Sequence, residues 1–200
     1  MVRLDSINYS TGAVTFARGC LDTVPEAHGS GAKFLFTEAA RAFDTFEWAS
    51  GATIYARMCM RTANGVYALA SAADSSVAMV GRQAKPYPPG NFRINTLQYP
   101  TNVTFPVTLS WAHRDRTQQL TRPIIDTSAG NIGPEATVTY KVRVRPFGGS
   151  YTEYDVSGTS YVINSAGFTS PQILEVEVES IKGTERSFQK HYHTFTATTA

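Results

Sequence analysis

Four groups of side chains in this 200-residue chain have the types and spacing that chemistry uses. His113-Arg114-Asp115 spells the opening of a kinase catalytic loop, but the glycine-rich phosphate loop, the partner lysine and the DFG segment that loop works with are missing. The expected role is a polar strand end, with Arg114, Asp115 and Arg116 anchoring a surface loop or facing a neighbouring subunit. His191 and His193 are two apart, which on a strand puts both imidazoles on one face as a two-ligand metal site would require, yet no third ligand accompanies them. His28 lies near Asp22 and Glu26, but no activated nucleophile such as a GxSxG serine goes with it. The expected role for His28 is to tie down the Asp22-Thr23-Val24-Pro25 turn. Glu175, Glu177 and Glu179 could place carboxylates at glycosidase separations, roughly 5–9 Å, but such enzymes also need a cleft. The expectation is therefore a non-enzymatic chain with no catalytic, cofactor-binding or metal-binding residues.

The elements that must carry these groups read as strands. Val107, Leu109 and Trp111 alternate with Thr108, Ser110 and Ala112, so one face goes to a core. Tyr140, Val142 and Val144 alternate with Lys141, Arg143 and Arg145, and Leu174, Val176 and Val178 alternate with Glu175, Glu177 and Glu179. Two triplets of opposite charge on period-two strands predict that these strands are neighbours, each facing pair contributing roughly 0.2–1 kcal/mol. The same alternation assigns the nine apolar residues of these three strands to a sandwich core. Further strands are expected over Tyr151–Val156, Ser160–Ile163 and His191–Thr196, giving seven between Phe92 and Thr198.

The first half is less regular. Ser10-Thr11-Gly12 between Ile7–Tyr9 and Ala13–Ala17 predicts a hairpin, and Ala32–Thr37 predicts a strand before a short helical turn at Glu38–Ala42. Asn64-Gly65 predicts a second hairpin, between Thr53–Arg61 and Val66–Leu69. Three prolines within Lys85–Asn91 predict an extended linker. The expected organisation is a β-rich docking domain over residues 1–85, a Pro-rich linker at 86–91 and a sandwich over 92–200. Tyr87, Phe92 and Tyr99 beside the linker are the expected inter-domain contacts.

Composition narrows the partners. A formal charge of +2, from 18 Lys and Arg against 16 Asp and Glu, is too weak to mark a polyanion-binding surface. Cys20 and Cys59 have neither zinc nor CxxC spacing, so two free thiols are expected. No apolar run approaches the ~20 residues of a membrane helix, and the first residues lack a signal peptide's apolar core, which predicts synthesis in the cytoplasm. The sequons at Asn8 and Asn102 are then chance matches.

Trp111, Tyr140, the Leu174–Val178 strand and the Ser180–Ser187 turn resemble a fibronectin type III domain, a seven-stranded Ig-like sandwich. The chain departs from that family at Leu174, where a tyrosine usually makes a corner hydrogen bond, and in the long Asp115–Pro134 connection. Ile7–Gly19, Leu21–Pro25, His28, Tyr87–Asn91 and Trp111–Arg116 are similar to segments of tail-tip and baseplate-hub proteins of siphophage-like bacteriophages and gene transfer agents. That resemblance implies a structural virion protein at the tail tip, made in the bacterial cytoplasm and present in several copies of a symmetric assembly. Its implied partners are hub, distal tail or fibre proteins, with no nucleic acid. The alternative is a module that binds a host-surface carbohydrate or receptor.

Overall fold

The computed structural model describes residues 1–35, 46, 48–119 and 124–199. The chain is all-β. In order its strands are β1 (Val2–Ile7), β2 (Val14–Arg18), β3 (Thr53–Arg57), β4 (Arg61–Thr62), β5 (Gly65–Val66), β6 (Asp74–Ala78), β7 (Gly90–Ile94) and β8 (Asn102–Thr104). There follow β9 (Val107–Ala112), β10 (Val138–Pro146), β11 (Thr152–Val156), β12 (Ser160–Ile163), β13 (Gln172–Lys182), β14 (Glu185–Arg186) and β15 (His191–Thr198). They divide into two units, one formed by Met1–His28 with Lys85–Ala200 and the other by Gly29–Ala84.

The first unit holds a sandwich. One sheet has the order β12-β9-β7 and the other β11-β10-β13-β15-β8, with β14 paired to β13. Leaving aside the short β8 and β14, seven strands split three and four, a fibronectin-type-III-like arrangement. The core between the sheets is drawn from alternate positions: Val107, Leu109 and Trp111 of β9, Tyr140, Val142 and Val144 of β10, and Leu174, Val176 and Val178 of β13. Phe92, Ile94, Val103, Phe105, Val138, Ile163, Phe195 and Ala197 complete it. The family's corner tyrosine has no counterpart at Leu174, which is purely apolar core. Trp111 meets the Tyr140 ring edge-on with centroids 5.4 Å apart, and its Nε1 is buried without a hydrogen-bond partner.

The division at the prolines is not the one expected. Residues 1–28 belong to the sandwich unit, and Pro86, Pro88 and Pro89 are buried as they lead into β7. A missing N–H suits the approach to an edge strand as well as it suits a solvated linker, and burial decides between them. The β1–β2 hairpin is held by groups far away in sequence. Arg3 donates to the Ile124 carbonyl, and the Thr127 amide donates to the Arg18 carbonyl at 3.0 Å. The Val24 amide donates to Gln189 Oε1 at 2.8 Å.

In the Gly29–Ala84 unit, β3 pairs antiparallel with β6, and β4 with β5. The residues opposing each other at the β4–β5 turn are Thr62 and Gly65, so Ala63-Asn64 makes the turn and Gly65 already opens the return strand. That return strand ends at Val66, short of the expected Leu69. Residues 32–35 form no strand, and the helical turn expected at 38–42 lies outside the described residues.

Candidate functional site

The outer face of the β10–β13 sheet carries the charged triplets. Register sets Lys141 opposite Glu179, Arg143 opposite Glu177 and Arg145 opposite Glu175. The ion pairs follow that register only in part. Arg145 Nε reaches Glu175 at 2.5 Å, and Arg143 Nη1 reaches Glu177 at 3.2 Å and Glu179 at 2.7 Å. Lys141 instead turns across β11 to Glu153 at 3.1 Å and Asp155 at 2.9 Å. Arg186 takes its place at Glu179, 2.5 Å away, and Lys190 joins Glu177 at 2.7 Å. Lys141 has two acidic neighbours on its other flank, a competition that the two triplets alone do not reveal.

The glutamates of β13 are buried beneath their partners. Tyr192 donates to Glu175 and Tyr151 to Glu177, and Arg145 lies 4.1 Å from the Tyr151 ring centroid. The Tyr192 hydroxyl, with Arg145, holds the Glu175 carboxyl below its ordinary pKa. Arg143 and Lys141 bring that of Glu153 down to about 2. Burial opposes the charge on Arg143, but Glu153, Glu179 and Glu177 outweigh it and raise its pKa. Carboxylates committed in this way are anchors of a sheet face.

His113, Arg114, Asp115 and Arg116 organise the connection that leaves β9. The buried Arg114 guanidinium donates to five backbone carbonyls, those of His113, Asp126, Thr127, Ala129 and Gly130, at 2.8–3.3 Å. Asp115 caps the 3-10 turn at Arg116–Gln118, accepting from the Thr117 amide at 2.8 Å, its hydroxyl at 2.6 Å and Gln118 Nε2 at 2.8 Å. Burial pushes the Asp115 carboxyl up in pKa, and these donors bring it below its ordinary value. Arg116 Nε and Lys182 Nζ both reach the buried Glu135, at 2.9 Å and 2.5 Å. His113 Nδ1 lies 2.6 Å from the Tyr140 hydroxyl. Of the two roles expected for Arg114, Asp115 and Arg116, loop anchoring is the one these contacts describe.

The remaining histidines have structural surroundings. His191 is fully buried, with Nε2 2.7 Å from the Pro89 carbonyl and Nδ1 3.3 Å from the Tyr99 hydroxyl, and its ring stacks on Phe92 at 4.9 Å. Burial lowers its pKa to about 4. His193 Nε2 lies 2.7 Å from the Pro100 carbonyl. Among the described residues no three His, Cys, Asp or Glu side chains converge as metal ligands. His28 is exposed, and Thr23 and Gln189 hold the turn assigned to it. Phe92 and Tyr99, expected between domains, pack within the sandwich unit, and Tyr87 is a half-buried member of the same unit.

The least satisfied surface belongs to Gly29–Ala84, where no described residue is buried. Tyr55 is 65% exposed, Met58 85% and Met60 67%, and Val66, Tyr67, Leu69, Val77 and Val80 are also exposed. Tyr55, Arg57, Leu69 and Asp74 line a broad cavity of about 540 Å3. In the sandwich unit a smaller cleft of about 260 Å3 lies among Val24, Pro25, Glu26, Tyr99 and the Gln189–Tyr192 segment. The exposed side chains of the second unit were hard to single out in sequence, because core and surface apolar residues look alike without a clean period.

No family model and no curated protein matches the chain. Among solved structures, the FN1–FN3 domains of chicken CNTN1 align with a TM-score of 0.37 at 11% identity, covering 72% of this chain and 43% of that one. Domains d3–d4 of the rat CD45 extracellular region align with a TM-score of 0.38 at 12% identity, covering 98% and 94%. The chain thus spans less than half of the CNTN1 fragment. The sandwich assignment rests on the chain's own strand order.

Proposed function

We propose that this chain is a non-enzymatic structural component of a phage tail tip or baseplate that acts through protein–protein assembly contacts. One observation carries the assembly reading: the Gly29–Ala84 unit exposes its large apolar side chains and buries none of its described residues. Two-stranded sheets with no apolar interior are marginal in water, and a unit that leaves this many large apolar side chains exposed gains stability by covering them with a partner. The tail-tip setting rests on the resemblance of Ile7–Gly19, Tyr87–Asn91 and Trp111–Arg116 to tail proteins. In this reading the second unit docks on a hub, distal tail or fibre protein.

Cryo-electron microscopy of purified particles, with mass-spectrometric identification, tests the proposal. Density for the chain at the tail tip, with Gly29–Ala84 buried against a neighbouring protein, is expected. Absence from intact particles overturns it. The cleft beside the half-exposed Tyr192 favours a second reading, a host-surface carbohydrate packed on that ring, with Glu26 and Gln189 in reach of its hydroxyls. Binding on a glycan array that is lost in Tyr192→Ala is the result expected of that reading, and an array without signal overturns it.

A further inference from the structure

We propose that Asn64 is a site of spontaneous covalent modification: the Gly65 backbone nitrogen attacks the Asn64 side-chain amide, converting residue 64 to aspartate and isoaspartate with no enzyme. The reaction needs only the exposed β4–β5 turn and water, and no partner protein.

Of the asparagines in the chain, only Asn64 precedes a glycine. Elsewhere the next residue carries a Cβ that crowds its own backbone nitrogen: Tyr9, Phe92, Thr96, Val103, Ile132 or Ser165. The surroundings of Gly65 are equally open, since a Cβ built there would meet nothing within 4 Å, and its φ of +127° lies where side-chain-bearing residues are rarely found. Hydrogen bonds engage the other side-chain amides. Asn91 accepts from Arg93 at 3.0 Å, and Asn131 from the His113 amide at 2.9 Å. Asn95 donates to the Thr104 carbonyl at 3.0 Å and accepts from the Thr108 amide at 2.7 Å. Asn64 is exposed. Its turn is held by Thr62, whose Oγ1 accepts from the Asn64 backbone amide at 3.3 Å and donates to the Gly65 carbonyl at 3.4 Å. Neither bond involves the reacting atoms. The strands around them are two residues each with every residue exposed, so the turn opens locally at little cost.

Hydroxide removes the Gly65 N–H proton, and the nitrogen bonds to Asn64 Cγ as the Cγ–Nδ2 bond breaks. The departing nitrogen takes a proton from water, which releases ammonia, regenerates hydroxide and leaves a five-membered succinimide. The attack is intramolecular, so proximity supplies what a catalyst otherwise would. One water then opens the ring. Cleavage of its N–Cγ bond gives aspartate, and cleavage of its bond from nitrogen to the Asn64 backbone carbonyl carbon gives isoaspartate, with the chain running through Cγ. Either product lowers the chain's formal charge of +2 by one. Isoaspartate also adds a methylene to the backbone of a turn whose closing pair is Thr62 and Gly65, so the β4–β5 pairing is expected to be lost in that product.

Tryptic mapping of the full chain after incubation at pH 7 and pH 8, read by mass spectrometry with electron-transfer fragmentation, tests the site. The peptide Thr62–Arg82 contains no other amide side chain, so any deamidation in it is at Asn64. Conversion there should be at least ~tenfold faster than at Asn164, which is also exposed but precedes Ser165. It should yield both products and quicken from pH 7 to pH 8, as a hydroxide-dependent step requires. Gly65→Ala should slow it at least ~tenfold. The comparison with Asn164 is internal to the wild-type chain and holds whether or not that variant folds. An Asn64 no faster than Asn164, aspartate without isoaspartate, a rate indifferent to pH, or an unchanged rate in Gly65→Ala overturns the proposal.

Discussion

Gly90 lies directly beneath the Arg114 guanidinium, so close that a methyl group on Gly90 would sit 1.8 Å from Nη2. The guanidinium has nowhere to go, because five carbonyls hold its donors. Gly90→Ala is therefore expected to destabilise the sandwich unit by about 3 kcal/mol, at the upper end of overpacking costs. Arg114→Lys should cost a similar amount, since an ammonium cannot span the same acceptors. Chemical denaturation of the two variants checks both expectations, and a near-neutral Gly90→Ala would contradict the close approach.

Arg143 is the shared cation of Glu177 and Glu179. Replacing it with Met leaves two buried carboxylates to Lys190 and Arg186, and a loss of about 2 kcal/mol is expected, less than for a buried pair with no other partner. In a unit of this size that lowers Tm by roughly 5 °C. Adding Glu177→Gln should recover part of the loss, and thermal melts of the single and double variants measure the coupling. Glu153→Gln, at the solvent edge of the network, should produce a smaller fall.

His191 gives the fold a pH dependence of known sign. Its folded pKa of about 4 lies below the unfolded value near 6.5, so between these values the unfolded chain binds the extra proton. Stability is complete above the unfolded value and declines as pH falls from about 6.5 toward 4, by about 2 kcal/mol between pH 7 and pH 5. His113, also lowered by burial, acts in the same direction, while the depressed Glu153 loses its contribution only below about 4.5. Urea unfolding at pH 7 and pH 5 should show the decline, and His191→Gln should reduce most of that difference whatever it does to absolute stability.

All the buried apolar side chains of the described residues belong to the sandwich unit. Replacing Gly29–Ala84 with a flexible Gly/Ser linker should leave a cooperatively folding protein with Tm within a few degrees of the full chain. Differential scanning calorimetry decides the point. Loss of the cooperative transition would mean that the second unit supplies stability the sandwich lacks.

The sandwich was largely legible because its strands repeat at period two over several residues. The charges at 141–145 and 175–179 announce both a face and a neighbour, and the register sets Arg143 against Glu177. Lys141 was harder to place, since choosing between Glu179 and the β11 acids depends on which flank of β10 offers more negative charge. The allegiance of residues 1–28 was not legible at all. Arg3 with Ile124 and Arg18 with Thr127 are contacts over more than a hundred residues, made through backbone carbonyls that every residue type possesses. The Asn64-Gly65 signal located a turn but misplaced it by one residue, because glycine also fits the first position of the return strand, where its φ is +127°.

The Arg114 clasp reads carbonyl oxygens and ignores side chains. The 126–130 loop is held from outside by one arginine through its carbonyls and from inside by Ser128, whose hydroxyl donates to Asp126 at 2.6 Å, while Ala129 is bound only through its backbone oxygen. Such a loop keeps its outline wherever the arginine and the Asp126–Ser128 bond persist, so a change at Ala129 alters its chemistry and leaves its path.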